Sequence, residues 1–422
     1  MNKIQKFIAV FFCSVCSVYV AAQTVLSPYS TFAVGNMIKD GQSTIRALGG
    51  TPNAYRDFTV VNYCNPASYT AFDTLSFVFD VSLDINSLRL ETASNTTSNT
   101  YAGFGGLNVG FPITKRVKIG AGLLPFSNVG YDITDNISDA NVGYTKYNFL
   151  GNGGVNNAFV GVGVQLGDFS LGGNLSYLFG TINQSYALMY PDSAFFYNTK
   201  ILNESYIRSF YANFGVQYNA KLNEDTYLCL GASYFPQIRL KSDESVAVYN
   251  YSALNDIEKI VDTVYTNKVT SGILMPQKLG MGVMLRKLNR YRLLLDFNWQ
   301  QWSKFENADV AQDMLHDSYR GAVGFEYSPR NSTSSNYFKW MKYRVGAYFE
   351  KTPLFVFNHD IYEFGITFGL CFPIIRSAST VNVALNVGNR GTRSDNLIKE
   401  TYITTTVSFS LYDTWFYRIK YK

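Results

Sequence analysis

Beyond residue 22 this chain of 422 residues lacks any apolar run of the roughly 18 residues that a transmembrane helix requires, which excludes helical membrane spans. Histidine is nearly absent. The two present, His316 and His359, have no second histidine at metal-ligand spacing and no serine in a nucleophile elbow. No metal site, cofactor site or catalytic constellation of nucleophile, base and orienter can therefore be assembled, and an enzyme is not expected. Charge of one sign is also lacking: 36 Lys and Arg against 31 Asp and Glu give a formal charge of +5. With no basic helix or stacking platform, nucleic acid is excluded as a partner. Of five cysteines, Cys13 and Cys16 fall in the N-terminal apolar stretch. The odd remainder, Cys64, Cys229 and Cys371, reads as buried thiols in preference to a disulfide.

What is abundant is aromatic and alternating. The chain holds 32 Tyr and 32 Phe. Past an N-terminal stretch that reads as a secretory signal peptide over residues 1–22 (Lys3 and Lys6, then Phe7 to Val20, then Ala21-Ala22), apolar and polar residues alternate in fourteen short segments. In the first, Leu75, Phe77, Phe79, Val81 and Leu83 share one face, while Ser76, Asp80, Ser82 and Asp84 share the other. The segments fall near 74–84, 101–111, 117–124, 155–165, 169–180, 206–218, 226–236, 277–286, 291–300, 319–327, 342–350, 362–372, 380–388 and 401–411. Their connections are long and short in strict turn. This is the pattern of an all-β, 14-stranded antiparallel transmembrane β-barrel over residues 74–411, with short periplasmic turns, long outer loops and both ends in the periplasm. The expected location is a bacterial outer membrane, with outer-membrane lipid as the barrel's surroundings, aromatic girdles that include Trp299, Trp302 and Trp415, and a periplasmic tail over 412–422 carrying Arg418, Lys420 and Lys422.

Residues 23–73 lack sustained alternation and are rich in Gly and Pro, including Gly49, Gly50 and Pro66. They are expected to fold into the lumen as a hatch or plug, satisfying their backbone against inward Asp80, Asp84, Asp296, Glu326, Arg344, Glu350 and Glu363. Whether such a segment is a ligand-sensitive gate or a permanent plug stays open here. In the third strand, Gly120 and Gly122 followed by Pro125 mark either a bulge and lateral opening or glycine packing against the hatch. In the connection 237–276, Leu254, Ile257, Ile260, Val261 and Val264 recur at helical spacing, which predicts a short amphipathic helix outside the membrane. With the loop 187–197 it would serve a ligand, serve a partner, or simply form a cap.

The stretch from Gly49-Gly50 through Asn65-Pro66-Ala67, "RALGGTPNAYRDFTVVNYCNPASYTAFD", resembles the Gly-rich hatch and Asn-Pro-Ala turn of the FadL/TodX family of outer-membrane channels. "DFNWQQWSKF" and "SYRGAVGFEY" extend the resemblance along the barrel. It implies passive uptake of hydrophobic small molecules such as long-chain fatty acids through a hatch-gated lumen, with a lateral window at the third strand and an apolar entry groove on the outer loops. The Trp415-Phe416 ending with its basic tail is similar to Bacteroidota members of the family. Their relatives include PorV, a partner in protein secretion, so the alternative is a non-enzymatic barrel subunit of a secretion or assembly complex.

Overall fold

The computed structural model describes residues 27–415 apart from 40, 140–142, 192–195, 255–256, 289, 308–314, 330–335, 376 and 396. The stretch read as a signal peptide and the tail beyond Trp415 lie outside the described residues. Among the described residues, fourteen antiparallel strands close into one barrel. They run Ser76–Glu91, Thr96–Pro112, Val117–Asp139, Gly143–Leu166, Phe169–Met189 and Asn198–Lys221. A seventh and an eighth each come in two pieces, Thr226–Phe235 with Ile238–Leu254, and Ile257–Met275 with Lys278–Lys287. The remaining six are Tyr291–Gln300, Ser318–Tyr327, Lys342–Val356, His359–Pro373, Thr380–Arg390 and Lys399–Thr414. Closure is made by the last strand on the first, from Lys399 opposite Glu91 to Thr414 opposite Ser76.

The two-residue period appears as two faces of opposite polarity. On the first strand Ser76, Asp80, Ser82 and Asp84 are buried, whereas Leu83 and Ile85 are exposed. On the twelfth, Phe364, Ile366, Phe368 and Leu370 form an exposed apolar row. An outward apolar belt of roughly ten residues per strand is the height a tilted strand needs to cross a bilayer. Above it the polarity inverts. On the fifth strand Leu171, Leu175 and Tyr177 face outward over buried Ser170, Asn174 and Ser176, but higher up Leu178 and Ile182 are buried. There the outward Asn183 donates to Asn152 in the open. The sixth strand does the same, from exposed Phe210 and Phe214 to a solvent-facing Arg208–Asp243 pair over buried Ile207. Strands three to eight thus project beyond the belt as a sheet with an apolar inner face and an outer face that mixes polar pairs with exposed Leu150, Tyr206 and Ile260.

Among the described residues of 254–264 the predicted amphipathic helix is absent and the chain is strand. The connection 237–276 is a β-hairpin that continues strands seven and eight. Phe235 pairs with Lys278 and Ile238 with Met275, so the register runs unbroken through the interruption. The break falls where Pro236 and Pro276, each without an N–H to donate, stand level with Gln277 and Gln237. The sequence is rich in β-branched residues, which fit a pleated surface. Bulges between Ile260 and Asp262 and between Thr263 and Tyr265 reset the alternation, so that apolar neighbours recur about one helical turn apart. Strands three to six are likewise longer than the alternation alone indicated.

Candidate functional site: the interior segment and a split in the wall

Residues 27–75 bond to inward-facing groups around nearly the whole ring. A short helix, Ser43–Arg46, ends on Gly49 and Gly50, whose φ values of +75° and +73° suit glycine. A Cβ on Gly49 would stand 2.7 Å from the Val323 carbonyl oxygen and 2.9 Å from that of Ala347. The backbone is held there by Gly49 N donating to Thr367 Oγ1 at 2.9 Å and Arg320 Nη2 donating to the Gly49 carbonyl at 2.8 Å. Asn65 caps the 3-10 helix Pro66–Ala71: its Oδ1 accepts from Ala67 N at 3.2 Å. Its Nδ2 donates to the Asn53 carbonyl at 2.6 Å and to the Ala232 carbonyl at 3.2 Å. Pro66 occupies the first helical position, where its missing N–H costs nothing.

The wall accommodates this segment with glycine. Cβ atoms at Gly110, Gly120, Gly172, Gly215, Gly231 and Gly346 would run into Phe72, Tyr69, Pro66, Asn65, Asn53 and Gly49 respectively. Gly120 therefore packs beneath the Tyr69 ring. Gly122 is closed in by Asn108, Leu107 and Phe159.

Charge pins the segment as well. Arg46 pairs with Asp84 at 2.7 Å. Asp57 pairs with Arg292, which also meets Glu326 at 3.3 Å, and Glu326 is held by Arg344 at 2.7 Å. Burial pushes the Asp57 carboxyl up, but the charges of Arg292 and Lys342 and the hydrogen bonds from Thr59 together outweigh it and leave it below the ordinary carboxylate range. Lys39 reaches Glu363 at 2.8 Å and Glu350 at 3.1 Å. Burial lowers its affinity for a proton, yet the two carboxylates outweigh that and hold it above the usual lysine range. Inward Asp80, Asp84, Asp296, Glu326, Arg344, Glu350 and Glu363 were legible from alternation. Lys39, Arg46, Asn53 and Asp57, which meet several of them, were not. The one signal was their being charged or amide-bearing in a stretch otherwise poor in charge.

Beside Gly122 and Pro125 the wall splits. Strands two and three share rungs only from Leu107–Leu123 to Pro112–Lys118. Higher up, the third strand bulges between Pro125 and Ser127 and takes a different neighbour. Asn36 and Met37 pair with Asn128 and Ser127, Ile38 N donates to the Phe126 carbonyl at 3.0 Å, and Ser27 N donates to the Gly130 carbonyl at 2.8 Å. Two cavities meet at this strap. One, of about 180 Å³, is lined by Phe32, Lys39, Phe126, Phe235, Trp302, Glu350 and Glu363 among others. The other, of about 70 Å³, lies behind Pro125 against Leu124, Phe159 and Cys64. Met37, Ile38 and Phe126 line both. Cys64, Cys229 and Cys371 are buried and, among the described residues, not joined in a disulfide.

The residues expected in the helix lie on the projecting hairpin instead. Ile260, Val261 and Val264 are exposed on its outer strand, with Tyr265 and Val269 further along. The side chains of Leu254 and Ile257 lie outside the described residues. Among the described residues, the outer piece Ile257–Met275 pairs along one side only, save for a bridge from Leu274 to Glu306.

A family model described as BamG matches residues 3–422. No curated protein matches the chain. Solved barrels share its fold. The CymD monoaromatic hydrocarbon channel gives a TM-score of 0.59 at 13% identity, covering 90% of this chain and 99% of its own. The Pseudomonas putida toluene transporter TodX gives 0.58 at 15% identity, with 91% and 100% covered. A Pseudomonas aeruginosa FadL homologue gives 0.56 at 13% identity, with 90% and 100% covered. At such identities the likeness is one of architecture.

Proposed function

The chain belongs to the BamG family, and from that premise we propose that it is a non-enzymatic outer-membrane barrel acting as a subunit of a β-barrel assembly machinery, to which the family's name points. The observation that carries this reading is the projecting sheet. Above the apolar belt, the hairpin of strands seven and eight offers a long one-sided edge with Ile260, Val264, Tyr265 and Val269 exposed. Backbone groups and apolar side chains held out in water are a typical surface for a protein partner. The bulges on that edge keep it from pairing indiscriminately. Glycine packing and buried ion pairs between the N-terminal segment and the wall support a structural role, with the segment acting as a plug.

A second reading is favoured by the split between strands two and three. The cavities on either side of Met37 and Ile38 run from Trp302 and Phe235 towards Pro125. That path suits a hydrophobic small molecule, long-chain fatty acids included, leaving sideways into lipid, driven by its own partitioning. The strap over residues 27–38 would be the part of the hatch that moves.

Conditional depletion separates the two. A subunit of the assembly machinery is expected to take other outer-membrane barrels down with it before growth stops. Unchanged levels of those barrels, with a loss of hydrophobic uptake, would overturn the first reading and favour the second.

A further inference from the structure

The ammonium of Lys39 sits in a cage built by the wall. Besides Glu363 and Glu350, which face each other across strands eleven and twelve, it lies 5.7 Å from the centre of the Tyr348 ring. Glu363 is held in place by Tyr402, whose hydroxyl donates to it at 2.6 Å. Paired carboxylates and an aromatic face are the groups that recognise a primary ammonium. The local charge balances only with Lys39 present. Arg320 pairs with Glu350 at 2.8 Å, Lys39 answers the second carboxylate, and Arg390 is committed to Glu400. Yet the lysine is not enclosed. Its side chain is 36% exposed, towards the cavity of about 180 Å³ whose other walls include Phe32, Phe126, Phe235 and Trp302. The cavity's lining is mixed, with Asn298 and Gln300 beside the aromatic rings, and a volume of roughly 150 Å³ suffices for a benzene ring.

We propose that this chamber binds a small amphiphile with a primary ammonium head and a ring-sized apolar body, and that Lys39 is an intramolecular stand-in for that head. An ammonium replacing that of Lys39 keeps the charge balance, whereas a carboxylate head would add a third negative charge beside Glu350 and Glu363. Lys39 directly follows Asn36, Met37 and Ile38, the residues bonded to the third strand, so displacing it frees one end of the strap. The proposal adds a head group to the second reading above and rests on the cage rather than on the family.

The test is equilibrium dialysis of the folded barrel in detergent against 2-phenylethylamine, with 2-phenylethanol as the uncharged match. Lys39→Met should bind the amine at least tenfold more tightly than the parent chain and the alcohol no better. Adding Glu363→Gln should abolish the preference. Should Lys39→Met fail to reach the heat-modifiable folded form, the amine but not the alcohol is expected to restore it during refolding. Equal effects of amine and alcohol, no gain on removing Lys39, or indifference to Glu363→Gln would each overturn the site, whatever the outcome of the uptake and depletion experiments.

Discussion

Single atoms decide whether the N-terminal segment fits. Tyr69 is wholly buried, its hydroxyl donates to Asn174 at 2.9 Å, and its ring lies where a Cβ on Gly120 would be 2.7 Å away. Gly120→Leu must therefore displace the ring, at a cost of about 1–3 kcal/mol as for other overpacked interiors. The temperature at which the folded gel band is lost should fall. Gly321→Ala, with open space at its Cβ, should leave that temperature unchanged. Arg292→Met strips Asp57 of its cation and is expected to cost about 3–5 kcal/mol, part of which Arg292→Met/Asp57→Asn recovers. The pH dependence follows in sign. With the folded carboxyl of Asp57 depressed, its contribution is complete above the unfolded value near 4 and is lost only as pH falls through the lower folded value. Denaturant titrations at pH 7 and pH 5 should therefore agree for this group and diverge only in strong acid. The inward carboxylates were readable because a strand repeats every two residues. Their partners sit in irregular chain, where no period says which side chain points where.

At the level of elements, the wall was legible and its extensions were not. Rows such as Leu293, Leu295 and Phe297 announce a strand by alternation, and they stand exposed on the ninth strand. The hairpin beyond Pro236 misleads because two bulges place Ile260 beside Val261 and Val264 beside Tyr265, which copies helical spacing. The register that continues across Pro236 and Pro276 makes a deletion feasible. Replacing residues 236–277 with Asn-Gly joins Phe235 to Lys278, which are already paired, through a favoured two-residue turn. The shortened chain is expected to keep its heat-modifiable migration and to lose its partner. A chain that no longer folds would show the hairpin to be part of the barrel's own stability. Gly120, Gly122 and Pro125 were read as marking either a bulge with a lateral opening or glycine packing; Gly120 packs on Tyr69, and the third strand bulges between Pro125 and Ser127, near where it parts from the second.

The barrel wall is a closed ring whose first and last strands meet: Trp415 N donates to the Leu75 carbonyl at 2.8 Å, and the Trp415 ring stacks on Phe77. An even number of strands puts both ends of the barrel wall, Ser76 and Thr414, on the side opposite the projecting sheet. Protease added to intact cells should cut the hairpin before it reaches the tail, and cleavage of the tail first would reverse the orientation. Closure and strand number follow from alternation summed along the chain. What the barrel does was less legible, because apolar groups on an outer surface serve cargo and partner alike. The central claim is that this barrel works within an assembly machinery, and gentle detergent extraction of a tagged copy, followed by mass spectrometry of what accompanies it, tests that most directly. The account predicts stoichiometric recovery of a second, larger barrel together with its assembly partners, lost when the hairpin is removed; a solitary barrel carrying only a hydrophobic small molecule would contradict it.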